Sequence, residues 1–253
     1  MNPQTVWEFN PDEFAWIWGA ETGADEYPDP ISILETPTTK NDYDLLAADI
    51  RRRFPRHADP DLTGPLRALA DPELRIVCVG RSLRSHKRVR TLGVAVADLA
   101  VVLYQRSGAT ADFGGDLKLV VTQRHHLAKH IAHTMPRTPA GTVAAMTGYT
   151  PRVRGEEQPT AWRVSADHGR PVEERIRSLI RLPRSAEGHL RVERHLHQPR
   201  PYPPTYLSWI DIRDDQPAHG RYLITVDNND TTVTPASPET IAQQLHHRAD
   251  LGQ

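Results

Sequence analysis

The chain has 253 residues, 38% hydrophobic and 25% charged, which is enough to bury a full core. Lys and Arg total 31 against 32 Asp and Glu, a net charge of −1 that argues against a dedicated nucleic-acid or membrane-surface binder. A lone cysteine, Cys78, leaves no internal disulfide, and no apolar run approaches the ~18 residues needed to cross a bilayer.

Residues Met1 to Phe9 carry no basic stretch followed by an apolar core, so no secretory leader is expected and the cytosol is the expected compartment. The first helix is well signalled: Asn10 as N-cap, Pro11 at the first helical position and Glu13 completing a capping box. Phe9 and Phe14 stand at the two positions of a hydrophobic staple. The helix carries Phe14, Trp16, Ile17 and Trp18 and is expected to stop at Gly19. After a Pro-containing segment, Tyr43, Leu46, Ala47, Ile50 and Phe54 follow helical spacing, with Asp42 and Asp44 at one end and Arg51, Arg52 and Arg53 at the other, matching the macrodipole. A short third helix runs from about Leu62 to Ala70.

The period then changes from 3.6 to 2. Strands are predicted at Leu74–Val79, Thr91–Val96, Leu99–Tyr104 and Leu117–Val121, followed by a helix with Leu127, Ile131 and Met135. Gly114-Gly115 reads as part of a hairpin loop. The second half repeats the order: a helix with Val172, Ile176, Leu179 and Ile180, strands at His189–Leu196, Tyr206–Ile212, Arg221–Val226 and Thr231–Thr234, then a helix capped by Ser237 with Ile241 and Leu245. Asp227-Asn228-Asn229-Asp230 suits a tight hairpin turn because Asn tolerates positive φ. Residues 137–169 read as a polar connection between the halves, and Gln198 to Pro204 as a stiff insert. The expected fold is therefore α+β: one domain over residues 1–253, with a central antiparallel sheet continuous across a quasi-twofold that relates halves at about 7–136 and 140–250.

Motifs for chemistry are sparse. No GxGxxG, P-loop or GxSxG pattern occurs, and Cys78 sits in an apolar strand as a small hydrophobe. His126, His130 and His133 share one predicted helical stripe, so a metal-dependent enzyme is one alternative; the helix supplies no Asp or Glu to complete a site, and a solvated flank is the other reading. The basic segment Arg81–Arg90 would be a nucleic-acid loop in a second alternative, but no aromatic is interleaved for stacking. Several predicted strands are apolar on both sides, which leaves one face either covered by helices or free for a partner.

Four stretches carry a resemblance to the EspG family of type VII (ESX) secretion chaperones. They are Trp7-Glu8-Phe9 with its aromatic helix, the Pro-bounded Pro28–Leu34 before the helix Leu45 to Phe54, the strand set Leu74–Tyr104 closed by Met135-Pro136, and the end of the chain. The last is the most telling: Gly220-Arg221-Tyr222-Leu223, then Thr232 to Pro238, then a short amphipathic helix. The resemblance implies a central antiparallel sheet flanked by two α-helical bundles, no catalytic centre, no cofactor and no metal. It also implies a cytoplasmic chaperone that binds the helical tip of the PPE member of a PE–PPE heterodimer, with neither nucleic acid nor membrane as partner and with the oligomeric state left open. Family contacts come from the sheet and the C-terminal helical bundle, so the partner-binding residues expected here are Leu207, Trp209 and Leu223 on the second-half sheet and Val172, Ile176, Leu179 and Ile180 on the helix before it. On that expectation Trp209→Ala would weaken binding more than stability.

Overall fold

The computed structural model describes residues 5–158 and 170–251; the end of the predicted connection, residues 159–169, lies outside them. Ten strands form one sheet in the order β1-β5-β4-β3-β2-β7-β8-β9-β10-β6. Every neighbouring pair among the described residues is antiparallel. The strands are β1 (Val6–Phe9), β2 (Leu74–Ser82), β3 (Arg88–Val96), β4 (Leu99–Ser107), β5 (Gly114–Gln123), β6 (Met146–Tyr149), β7 (Arg184–Glu193), β8 (Thr205–Ile212), β9 (Gly220–Asp227) and β10 (Asp230–Pro235). The two halves meet where β2 pairs β7, from Arg75 opposite Glu193 to Ser82 opposite Ala186. Outward from that seam the first-half strands run 2-3-4-5-1 and the second-half strands run 7-8-9-10-6.

The helices are α1 (Pro11–Thr22), α2 (Lys40–Arg53), α3 (Pro60–Ala70), α4 (Leu127–Thr134), α5 (Thr150–Arg154), α6 (Val172–Ile180) and α7 (Pro238–Ala249). The α1 start is as its sequence predicts. Asn10 Oδ1 accepts from the Glu13 amide at 2.8 Å, and Glu13 Oε2 accepts from the Asn10 amide at 2.9 Å. The Phe9 and Phe14 rings lie 6.1 Å apart, forming the staple. The helix continues one turn past Gly19, because Gly23 at φ +70° supplies the left-handed cap.

Three cores follow from the alternation of the strands. On one face, hereafter the closed face, α4 and α7 pack Leu127, Ile131, Ile241 and Leu245 over Ile76, Cys78, Val102, Leu190, Leu207, Trp209 and Leu223. This cover runs straight across the β2–β7 seam. On the other face α1, α2 and α3 pack over Val77, Leu92, Val94, Val101, Leu103 and Leu119 at the first-half side. At the second-half side α5 and α6 pack over Ile210, Ile212, Tyr222 and Val233. No described helix lies over the middle of that face.

Two strands went unread in the sequence. β1 and β6 are four residues each, too short for a period to show, and both pair at the sheet margins, with β5 and β10. Gly114-Gly115, read as loop, opens β5 instead. Asn228 and Asn229 do form the predicted two-residue turn, at φ +48° and +71°.

Candidate partner-binding groove

The uncovered middle of the second face is a groove of about 750 Å³ that runs over β3, β2, β7, β8 and β9. Its floor is the row of side chains that alternation aims away from the closed face: Val79 and Arg81, Glu187 and His189, Ser208 and Ile210, and Ile224. One wall is Pro30 with Ala111 and Asp112; the other is Ile180 at the end of α6 with Arg184. Along β8 and β9, on the side of Ser208 away from Ile180, Tyr206 and Val226 continue the same face and are 56% and 50% exposed. An exposed histidine, an exposed tyrosine and an exposed valine on inner strands of a ten-stranded sheet mark a surface that packing among the described residues leaves open.

The first wall is held by one buried amide. Gln105 on β4 is buried beneath the segment 28–34, where its Oε1 accepts from the Ser32 amide at 3.1 Å and its Nε2 donates to the Ser32 carbonyl at 3.0 Å. Ser32 Oγ in turn donates to the Asp112 carbonyl at 2.7 Å. Asp29 takes Arg191 Nη2 at 2.7 Å, which ties the same segment to β7 across the seam. This is the structural use of the Pro-bounded stretch.

Charge is unevenly placed. Glu187 accepts from Arg81 Nη2 at 2.7 Å and from Arg184 Nη1 at 2.8 Å, and these bonds, with Arg81 first, hold its carboxyl below the ordinary range. Arg88 and Arg90, on the same face of β3, have no carboxylate within ion-pair distance among the described residues. Arg90 Nη2 donates to the Ala111 and Asp112 carbonyls at 2.8 and 2.9 Å, while its Nη1 is buried with no hydrogen-bond partner. Burial, followed by the neighbouring Arg88, lowers the Arg90 pKa. The predicted basic loop is therefore half strand: Arg81 is the last residue but one of β2, Arg88 and Arg90 lie in the opening of β3, and both arms face the groove.

The residues expected to bind a partner divide sharply. Leu207 and Trp209 are 0% exposed and Leu223 is 1% exposed, all on the closed face, which corrects their assignment to a surface. The physical reason is that β8 and β9 are apolar on both sides, so alternation alone does not say which side is covered. The Trp209 indole lies flat across two strands because Gly80 and Gly188, in register with it, have no side chain there: a Cβ on Gly80 would stand 2.2 Å from Trp209 Cζ2. Beside it Arg221 makes two 2.7 Å bonds to Asp211, with its guanidinium 5.1 Å from the indole centre. On α6, Ile176 and Leu179 are core; Val172 and Ile180 are half-buried, and Ile180 lines the groove. The readable signal was on β7, where Glu187, His189, Arg191 and Glu193 alternate with Gly188, Leu190 and Val192: a central strand with one polar side has one open face.

The histidine stripe does not form as predicted. His126 ends a 3-10 turn before α4 begins, His133 Nδ1 lies 2.7 Å from the Lys129 carbonyl, and no group of three potential metal ligands occurs among the described residues. His130 is half-buried, and burial first, then His126 and His133, keeps its pKa low. No described helix is long and apolar enough to cross a membrane.

No curated protein matches this sequence. The EspG family matches it over residues 10–247, from the α1 N-cap to within α7, and so takes in every strand of the groove. The chain belongs to the EspG family, whose members are type VII secretion-associated chaperones.

Proposed function

We propose that the chain is a cytosolic, single-domain chaperone of a type VII secretion system, and that its groove receives the helical tip of the PPE protein of a PE–PPE heterodimer. The observation that carries this reading is the contrast across the seam: the described helices cover the β2–β7 centre on one face and leave it bare on the other. A groove with the half-buried Ile180 and Ile224 at one side, over the buried Ile210, suits the apolar side chains of a helix end, which is the helix-in-groove mode of recognition. Ile180 lines the groove and Val172, at the other end of α6, is half-buried, so these two, with Tyr206 and Val226, take the place of the core residues as partner contacts. The reading treats the halves as a quasi-twofold repeat with a helical bundle on each, which the mirrored strand order supports. Catalytic turnover forms no part of it.

Co-expression with the PE–PPE pair encoded nearest this gene, with a photo-crosslinker at Tyr206 and a control at His130 on the closed face, tests the reading. A stoichiometric complex on size exclusion, with crosslinks to the PPE tip from Tyr206 alone, is expected. A soluble pair that elutes separately, or crosslinks only from His130, would overturn it.

A further inference from the structure

The groove has two ends of different chemistry. At the β8–β9 end its lining is Ile210, Ile224 and Ile180; at the β3 end it is Arg88 and Arg90. The four groove arginines face two carboxylates, and one of those, Glu187, is taken by both Arg81 and Arg184. Asp112 bonds Arg90 through its backbone carbonyl, while its carboxylate, outside ion-pair distance, attracts Arg90 only electrostatically. Arg88 has no side-chain hydrogen bond among the described residues, and Arg90 leaves Nη1 buried and unbonded. Arg88 therefore keeps its whole fork free for a partner's acceptor, while Arg90 is fixed by its two carbonyl bonds and adds positive charge beside it. Arginine's planar fork suits a carboxylate bidentately.

From this we infer that Arg88 and Arg90 form the carboxylate-recognition end of the groove, seating an Asp or Glu side chain of the bound helical segment. This rests on the chaperone reading above and adds to it a charge at a fixed place. Five adjacent strands ~4.8 Å apart separate Arg90 from Ile224 by roughly 19 Å. That width matches two packed helices at 8–10 Å spacing or about thirteen residues of one helix laid across the strands. The client segment therefore carries its acidic residue at one margin and its apolar residues at the other. A nucleic acid fits less well: phosphate binding needs a longer cationic array, and two of the four arginines are already committed to the one carboxylate of Glu187.

The test is the affinity of the same PE–PPE pair for four proteins: wild type, Arg88→Glu, Arg90→Gln and Arg84→Glu. Arg84 sits in the exposed β2–β3 turn outside the groove and controls for net charge. Arg88→Glu is expected to weaken binding at least roughly tenfold, Arg90→Gln by less, and Arg84→Glu by under about twofold. Reversing one acidic residue on the client tip to Lys should restore binding to Arg88→Glu and impair binding to wild type. Arg88→Glu weakening no more than Arg84→Glu, in a protein with unchanged melting temperature, would overturn the inference and leave the chaperone reading intact. Displacement of the client by single-stranded RNA, lost in Arg88→Glu, would overturn it in favour of a nucleic-acid site. A wild-type protein that forms no complex would overturn both.

Discussion

The two faces of the same central strands behave as different materials. On the closed face β2, β7, β8 and β9 present Cys78, Leu190, Trp209 and Leu223, and α4 and α7 seal them. On the open face the intervening residues are Val79, His189, Ser208 and Ile224, which line the groove. One strand thus serves stability and recognition at once, separated by a single residue of register. The difference teaches that substitutions two residues apart should act alike, while substitutions one residue apart should act on different properties.

The largest expected break in that contrast is at Trp209. Trp209→Ala opens a cavity beneath α7 and should cost ~3–5 kcal/mol in chemical denaturation. A loss under ~1 kcal/mol would mean that the closed face is not the core. Next is the buried ion pair beside it. Asp211→Ala leaves Arg221 charged, fully buried and without its main acceptor, and should also cost ~3–5 kcal/mol. Replacing both residues by apolar ones of similar volume should recover much of that loss.

Acid sharpens the comparison at smaller scale, on the helices that bound the open face. Glu21 at the end of α1 is buried, which alone would raise its pKa. The bonds it accepts from the His57 amide at 2.7 Å and from Thr63 Oγ1 at 2.8 Å, with the His57 ring, more than offset that and leave it below its ordinary 4.5. A carboxyl depressed in the folded state lends stability that is complete above its unfolded value and is lost as pH falls through the folded one. Glu21→Gln should therefore be less stable than wild type near neutrality, and the gap should close in acid below that range. A gap that is constant with pH would refute the linkage. The smallest stability effect belongs to the open face: Tyr206→Ala should change folding by under ~0.5 kcal/mol while weakening client binding. Measuring both on one preparation separates it from Trp209→Ala, which sits three residues along the same strand on the opposite side.

Much of this was legible in the residues. Asn10, Pro11 and Glu13 spelled the α1 start, Asn228-Asn229 the last hairpin, and the return of the same element order the continuity of one sheet. What alternation could not supply was the choice of face on β8 and β9, because Tyr206, Ile210, Leu207 and Trp209 are all compatible with burial. That choice depends on where α4 and α7 land, and both lie far away in sequence from β8. Their landing was partly announced by glycine: only Gly80 and Gly188 together admit an indole lying flat across β2 and β7. The short margins β1 and β6 were silent because four residues carry too little pattern.

The seam between β2 and β7 also bears on the order in which the molecule assembles. Its partners, such as Gly80 and Gly188, lie more than a hundred positions apart along the chain, whereas β2–β3, β3–β4 and β9–β10 are joined by short turns. Closing so long a loop is entropically late, so the hairpins are expected to form first and the seam afterwards. The groove straddles that seam, with Arg88 and Arg90 supplied by one half and Ile180, Ile210 and Ile224 by the other. Binding competence is then acquired in one step at the end of folding, and a nascent chain released halfway through synthesis has a carboxylate-seeking end with no apolar end to complete it.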